Sequence, residues 1–178
     1  MLRHLWTGAV VLAIAAGARA ADQGTAVEID GLKSAAPAGW KKGTPANQMQ
    51  FAVFSLPKAD GDKEDTTLTI YFFGQGGGGG VPANVKRWQG MFKPPAADNS
   101  KSESIKVGVV PVTTLDISGT YLFKARPMDA TAVEKPDFRL VGVVFESKNG
   151  PYFMRLVGPT KSVEKNKKDF DEWLKNFK

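Results

Sequence analysis

The chain has 178 residues, with 24 lysines and arginines against 18 acids and a formal net charge of +6. It holds one histidine, His4, and no cysteine, which excludes disulfides, thiol redox chemistry and thiolate zinc sites. The basic charge is spread along the chain and not gathered into the face or stripe that nucleic-acid binders use, so nucleic acid is not an expected partner.

Residues 1–20 (MLRHLWTGAVVLAIAAGARA) have the three-part layout of a secretory signal. Arg3 and His4 start it, residues 5–17 are almost wholly apolar, and Ala18-Arg19-Ala20 supplies an A-x-A cleavage site. The apolar run is shorter than the roughly 20 residues of a membrane span; an uncut N-terminal anchor is the alternative reading. No cysteine lies near the site, so no lipid anchor is expected. Cleavage after Ala20 removes His4, and residues 21–178 then contain no imidazole at all. Ser-His-Asp and Cys-His catalysis and imidazole zinc sites are excluded with it. The expected location is the periplasm or the extracellular space, as a monomer with no transmembrane segment after cleavage.

Residues 21–31 are polar and read as a flexible N-terminal segment; residues 32–178 read as one domain. Pro37-Ala38-Gly39-Trp40 is a turn that delivers an aromatic. Residues 48–56 read as a strand with Met49, Phe51 and Val53 on one face. The acidic stretch Asp60-Gly61-Asp62-Lys63-Glu64-Asp65 lacks EF-hand spacing and reads as a solvated loop, not a cation site. Residues 66–73 are the cleanest strand: Leu68, Ile70 and Phe72 alternate with Thr67, Thr69 and Tyr71. After a glycine-rich run, residues 82–92 predict a helix. Pro82 suits its first turn, and Val85, Trp88 and Phe92 share one face. Residues 94–104 read as polar linker, 106–123 as one or two strands, and 126–136 as a loop. Residues 138–146 and 152–157 are strands joined through Asn149-Gly150, a strong hairpin signal. A C-terminal helix follows, capped by Thr160 or Ser162, with Val163, Phe170, Trp173, Leu174 and Phe177 on its apolar side. One mid-chain helix and one terminal helix must pack on a largely antiparallel sheet, which makes an α+β sandwich in one domain.

Gly74-x-Gly76-x-x-Gly79 formally matches a dinucleotide fingerprint between strand and helix. A run this rich in glycine matches by chance, and the flanking elements do not alternate as a parallel sheet requires. A softer reading is an anion at the helix start, with Lys86 and Arg87 one turn in. The plain reading is a flexible loop.

An ordered series of short motifs resembles the PsbP-like superfamily, and within it secreted bacterial proteins of that fold. The series is Ala36-Pro37-Ala38-Gly39-Trp40, Phe54-Ser55-Leu56-Pro57, Asn84-Val85-Lys86-Arg87-Trp88, Leu115-Asp116-Ile117-Ser118-Gly119-Thr120-Tyr121, and Tyr152-Phe153-Met154-Arg155-Leu156-Val157-Gly158-Pro159. The resemblance spans most of residues 32–178 and implies an α/β/α sandwich around an antiparallel sheet. Its photosynthetic members dock on a membrane complex and help retain inorganic ions, and another branch binds a small GTPase. The resemblance therefore implies a binding or assembly module, not an enzyme, with no cofactor and no transferable ligand residues.

Three functional readings follow. The first is a non-catalytic binding or accessory protein whose partner is an envelope or extracellular protein, working through Asn84, Lys86, Arg87 and Trp88 beside Gly76 and Gly78. Trp88 reads equally as core, Arg87 as a surface cation, and Asn84 as a local backbone ligand. The second is a carboxylate-based hydrolase of envelope polysaccharide using Asp116 and Glu146, each beside apolar β-rich sequence; outward-facing or ion-paired acids are the alternative. The third is a small-ligand pocket between sheet and helix lined by Trp40, Tyr71, Tyr121 and Trp173, which core packing explains as well.

Overall fold

The structure, a computed structural model, describes residues 24–126 and 128–178; the predicted signal segment, residues 1–20, lies outside the described residues. Period-two patterning in the middle and end of the chain builds the sheet. Its strands are β3 (Lys41–Lys42), β4 (Gln50–Leu56), β5 (Thr66–Phe72), β6 (Lys101–Val107), β7 (Val110–Phe123), β8 (Val133–Ser147) and β9 (Gly150–Pro159). They form one sheet in the order β3-β4-β5-β9-β8-β7-β6, and every neighbouring pair is antiparallel. Helix α1 (Val81–Gln89) covers one face, and α2 (Thr160–Lys175) covers the other together with a hairpin of β1 (Ala26–Ile29) and β2 (Leu32–Ala35). The layers are those of the expected α/β/α sandwich.

The α2 face carries the larger core. Phe54, Leu68, Ile70, Val143, Phe145 and Met154 project from the sheet, and Val163, Phe170, Trp173, Leu174 and Phe177 close over them, all fully or almost fully buried. The apolar side assigned to the terminal helix is the side that is buried. Trp40 packs between Phe170 and Trp173, with ring centroids 6.4 and 5.5 Å away. On the α1 face, Trp88 and Phe92 pack over Leu115, Ile117, Leu140 and Val144. The indole of Trp88 lies on Gly142, where a Cβ atom would sit 2.3 Å from Trp88 Cε3. Only glycine lets the helix approach the sheet this closely.

Several elements differ from the sequence expectation. Part of the segment read as flexible forms β1, whose Val27 and Ile29 are buried: its apolar residues are few, but they alternate, and β2 gives them a partner. In β4 the buried residues are Ala52, Phe54 and Leu56, whereas Met49 and Phe51 are exposed. A register shift between Gln50 and Ala52 lies where the alternation changes face. The stretch read as linker contains a 3-10 turn (Ala96–Asn99) and the start of β6, and the stretch read as a loop contains the start of β8. Neither Thr160 nor Ser162 caps α2. The position before the helix is Pro159, and no side chain of that residue can cap it. The Asp62 carboxylate accepts from the Ser162 backbone N–H at 3.1 Å and from its hydroxyl at 2.5 Å, so the cap arrives from the β4–β5 loop. That loop is held further by Ala59 N–H donating to Ser162 Oγ and by Asn166 Nδ2 donating to the Pro57 carbonyl, both at 2.8 Å. The acidic loop is thus docked on α2, not simply solvated.

The Asn149-Gly150 signal marks the β8–β9 hairpin. Lys148 and Asn149 form its two-residue turn, and Gly150 pairs with Ser147 at φ 126°. The turn of the β1–β2 hairpin clasps it: Asp30 accepts from the Ser147 hydroxyl and, at 3.1 Å each, from the backbone N–H and side-chain amide of Asn149.

Candidate functional site

The glycine loop, residues 74–80, leaves β5 and enters α1. Gly78 has φ 78°, and a Cβ there would lie 2.3 Å from the ring of Phe153, so the loop is pressed onto the sheet. Asn84 is buried, and its amide donates to the carbonyls of Gly78, Gly79 and Gly80 at 3.0, 3.2 and 3.0 Å. Arg87 Nη1 donates to Asn84 Oδ1 at 2.6 Å and to the Gly78 carbonyl at 3.4 Å. The side chains of α1 thus bind the loop's oxygens, which are acceptors, so Asn84 and Arg87 serve the loop directly. Gly76, at φ 75°, has open space where a Cβ would stand. Lys86 is exposed and lines a shallow depression with Phe92, Pro94 and Pro95 past the other end of the helix. Trp88 is in the core. The structure therefore gathers Gly78, Asn84 and Arg87 into one hydrogen-bonded unit and leaves Lys86 and Trp88 outside it.

The two candidate acids are not brought together. Asp116 is opposite Val141, while Glu146 lies five positions farther along β8. At about 3.3 Å per residue the separation is roughly 16 Å, and the odd spacing puts them on opposite faces of the sheet. A glycosidase pair needs carboxyls within roughly 10 Å, so this pair cannot perform that reaction. Asp116 is instead held by the Arg139 guanidinium in two bonds, 2.8 and 2.6 Å. The hydrogen bond to Asp116 outweighs burial and raises the pKa of Arg139. Asp116 also borders a cleft of about 160 Å³ between α2 and the outer strands, lined as well by Lys101, Glu103, Lys167, Asp171 and Lys175. Lys167 and Asp171 pair with each other there. The cleft is lined by opposed charges. Among the described residues, no group of three or more His, Cys, Asp or Glu side chains is arranged to hold a metal ion.

The four aromatics suggested as a pocket lining are split. Trp40 and Trp173 are core residues of the α2 face. Tyr71 and Tyr121 are half-buried on the α1 face, where a residue not selected from sequence joins them. Arg155 of β9 stacks its guanidinium 4.7 Å from the centroid of the Tyr71 ring and donates to the Tyr71 hydroxyl. It also donates to Met91 Sδ at 3.7 Å. Burial pushes the Tyr121 hydroxyl up in pKa, opposed by the nearby charge of Arg155. Helix α1 packs mainly over β7 and β8; on β4 Val53 is only partly buried, whereas Thr69 of β5 is buried on this face. Across it run Val53, Thr69 and Arg155 in register, ending at Gly142 beneath Trp88. A single arginine inside a strand gives no sequence signal of this assembly, because Tyr71 and Met91 reach it from elements far away along the chain.

No protein-family model matches the chain, and no curated protein matches it in sequence. Among solved structures, the solution structure of cyanobacterial PsbP (CyanoP) from Synechocystis sp. PCC 6803 is similar, with a TM-score of 0.54 and 12% sequence identity. The match covers 91% of this chain and 95% of that chain. The fold is PsbP-like, as the ordered motifs imply. No helix among the described residues is long and apolar enough to cross a membrane.

Proposed function

We propose that the chain is exported, loses residues 1–20, and acts as a non-catalytic binding or accessory protein in the periplasm or outside the cell. Its working surface is the α1 face of the sheet, with Arg155 and Tyr71 at the centre and Arg87, bound to the glycine loop, toward its rim; Lys86 lies apart from it. Asn84, Trp88, Gly76 and Gly78 shape the loop and helix that border it. The observation that carries this reading is Arg155 itself: a half-buried guanidinium beside half-buried tyrosines at the margin of α1, with no acidic partner. Arginine and tyrosine in partly desolvated settings dominate the energetics of recognition surfaces. The PsbP-like fold supports the reading by analogy of fold alone. The chemistry of residues 21–178 supports it too, since no imidazole or thiol is present there for nucleophilic catalysis.

The experiment is site-specific photo-cross-linking in the native envelope. A photoreactive residue at position 53, partly buried on the α1 face, is compared with one at position 168, on the exposed side of α2. Specific adducts from position 53 alone, lost in an Arg155→Ala, Arg87→Ala variant, are expected. Equal adducts from both positions, or none from position 53, would overturn the choice of face. Intact mass of the exported protein, expected to begin at Ala21, checks the processing step.

A further inference from the structure

We infer that Arg155 and Tyr71, both half-buried at the margin of α1, form a carboxylate-binding site on the α1 face. The inference rests on the reading that this face is the working surface, and it names the chemistry the face recognises.

A guanidinium offers five N–H donors. In Arg155 one meets the Tyr71 phenol oxygen and another meets the Met91 thioether at 3.7 Å, a weak acceptor. Neither partner carries negative charge, and no carboxylate lies within ion-pair distance among the described residues. The contrast within the molecule is direct. Arg139, similarly placed on the other face, is neutralised by Asp116 in two bonds, and the exposed Arg126 is paired with Asp129 at 3.0 Å. A half-buried cation without a counter-charge is costly. A carboxylate presented along the free edge of the fork would meet it in two charge-assisted bonds.

The surroundings narrow the ligand. Arg155 is the only cation in its row of the sheet: Val53 and Thr69 lie toward the open edge and Gly142 toward α1. One positive charge among neutral neighbours balances a monoanion, whereas a phosphate dianion would leave charge uncompensated. Beside the site, Tyr71 stacks on Phe73 with centroids 6.1 Å apart, and Phe73 is 40% exposed. That shelf suits a flat apolar body attached to the acid. Phe73 in turn packs on Phe153 under the glycine loop, which links the site to the loop that Asn84 holds.

The probe is phenylacetate, titrated into 15N-labelled protein and followed by amide chemical shifts. Saturable shifts in the millimolar range, centred on residues 69, 71 and 155, are expected. Arg155→Gln is expected to weaken binding about tenfold or more, and Arg155→Lys, which keeps the charge but not the fork, by an intermediate amount. The methyl ester of phenylacetate, which keeps the ring and loses the charge, is expected to give no saturable shift. Binding unchanged in Arg155→Gln, or equal binding of the ester, would overturn the site. Inorganic phosphate bound as tightly as phenylacetate through Arg155 would overturn the assignment to carboxylates. The same spectra report folding, and if Arg155→Gln fails to fold, Arg155→Lys carries the comparison. Cross-linking from position 53 without phenylacetate binding would leave the docking face standing and remove only this ligand class.

Discussion

Asn84 directs its amide at backbone that glycine leaves bare. Three carbonyls of the loop converge on one Nδ2, and Arg87 closes the arrangement from the next turn. Asn84→Ala removes this buried side-chain donor from the loop carbonyls and is expected to lower stability by about 0.5–1.5 kcal/mol, measured by urea unfolding. Lys86→Ala, on exposed surface, is expected to stay within about 0.5 kcal/mol. Asp30 makes a pH-dependent contribution. Burial raises its pKa, but the hydrogen bonds from Ser147 and Asn149 and the charge of Lys148 outweigh that and hold the carboxyl below its ordinary range. A carboxylate with a depressed folded-state pKa adds stability that is present above the unfolded value of about 3.9. That stability disappears as pH falls through the lower folded value. The stability difference between wild type and Asp30→Asn is therefore expected to be constant near neutrality and to shrink in acid, as read from unfolding curves across a pH series.

At the scale of elements, what the sequence displays locally is what it specifies locally. Alternation gives β5, the buried stripe gives α2, and Asn149-Gly150 gives the β8–β9 hairpin. The start of α2 is different, because its cap comes from Asp62, 100 residues earlier. Asp62→Ala is expected to cost about 0.5–2 kcal/mol and to loosen the first turn of α2, visible as faster amide exchange at residue 162. Asp60→Ala in the same loop serves as the neutral control. β4 makes the complementary point. Both faces of the sheet are covered in places, so apolar residues occur at odd and even positions alike. Periodicity alone could not decide between Phe51 with Val53 and Phe54 with Leu56. The register against β5 decides it, since a shift of one residue turns every side chain over.

At the scale of the whole molecule, stability rests on two cores pressed against one sheet, with no covalent staple. The chain has no cysteine, so the unfolding midpoint is expected to be the same with and without a strong reductant, measured by thermal melts. A reductant-dependent midpoint would imply a covalent partner. The two sheet faces also differ in character. The α2 face is closed by a helix, a hairpin and Trp40, and its cleft is balanced by ion pairs. The α1 face is closed by one short helix over β7 and β8. That asymmetry places the proposed docking surface on the side with less cover.

Composition and local pattern alone determined that the chain forms two helices on an antiparallel sheet, and that residues 21–178 carry neither imidazole nor thiol. These properties are counted or read within a few residues, at the periods of a helix turn or a strand pleat. Only the tertiary structure decided that Asp116 and Glu146 lie on opposite faces, that Asp62 caps α2, and that Arg155 meets Tyr71, 84 residues away. Each depends on strand order and register, which long-range pairing sets and which no local spacing records.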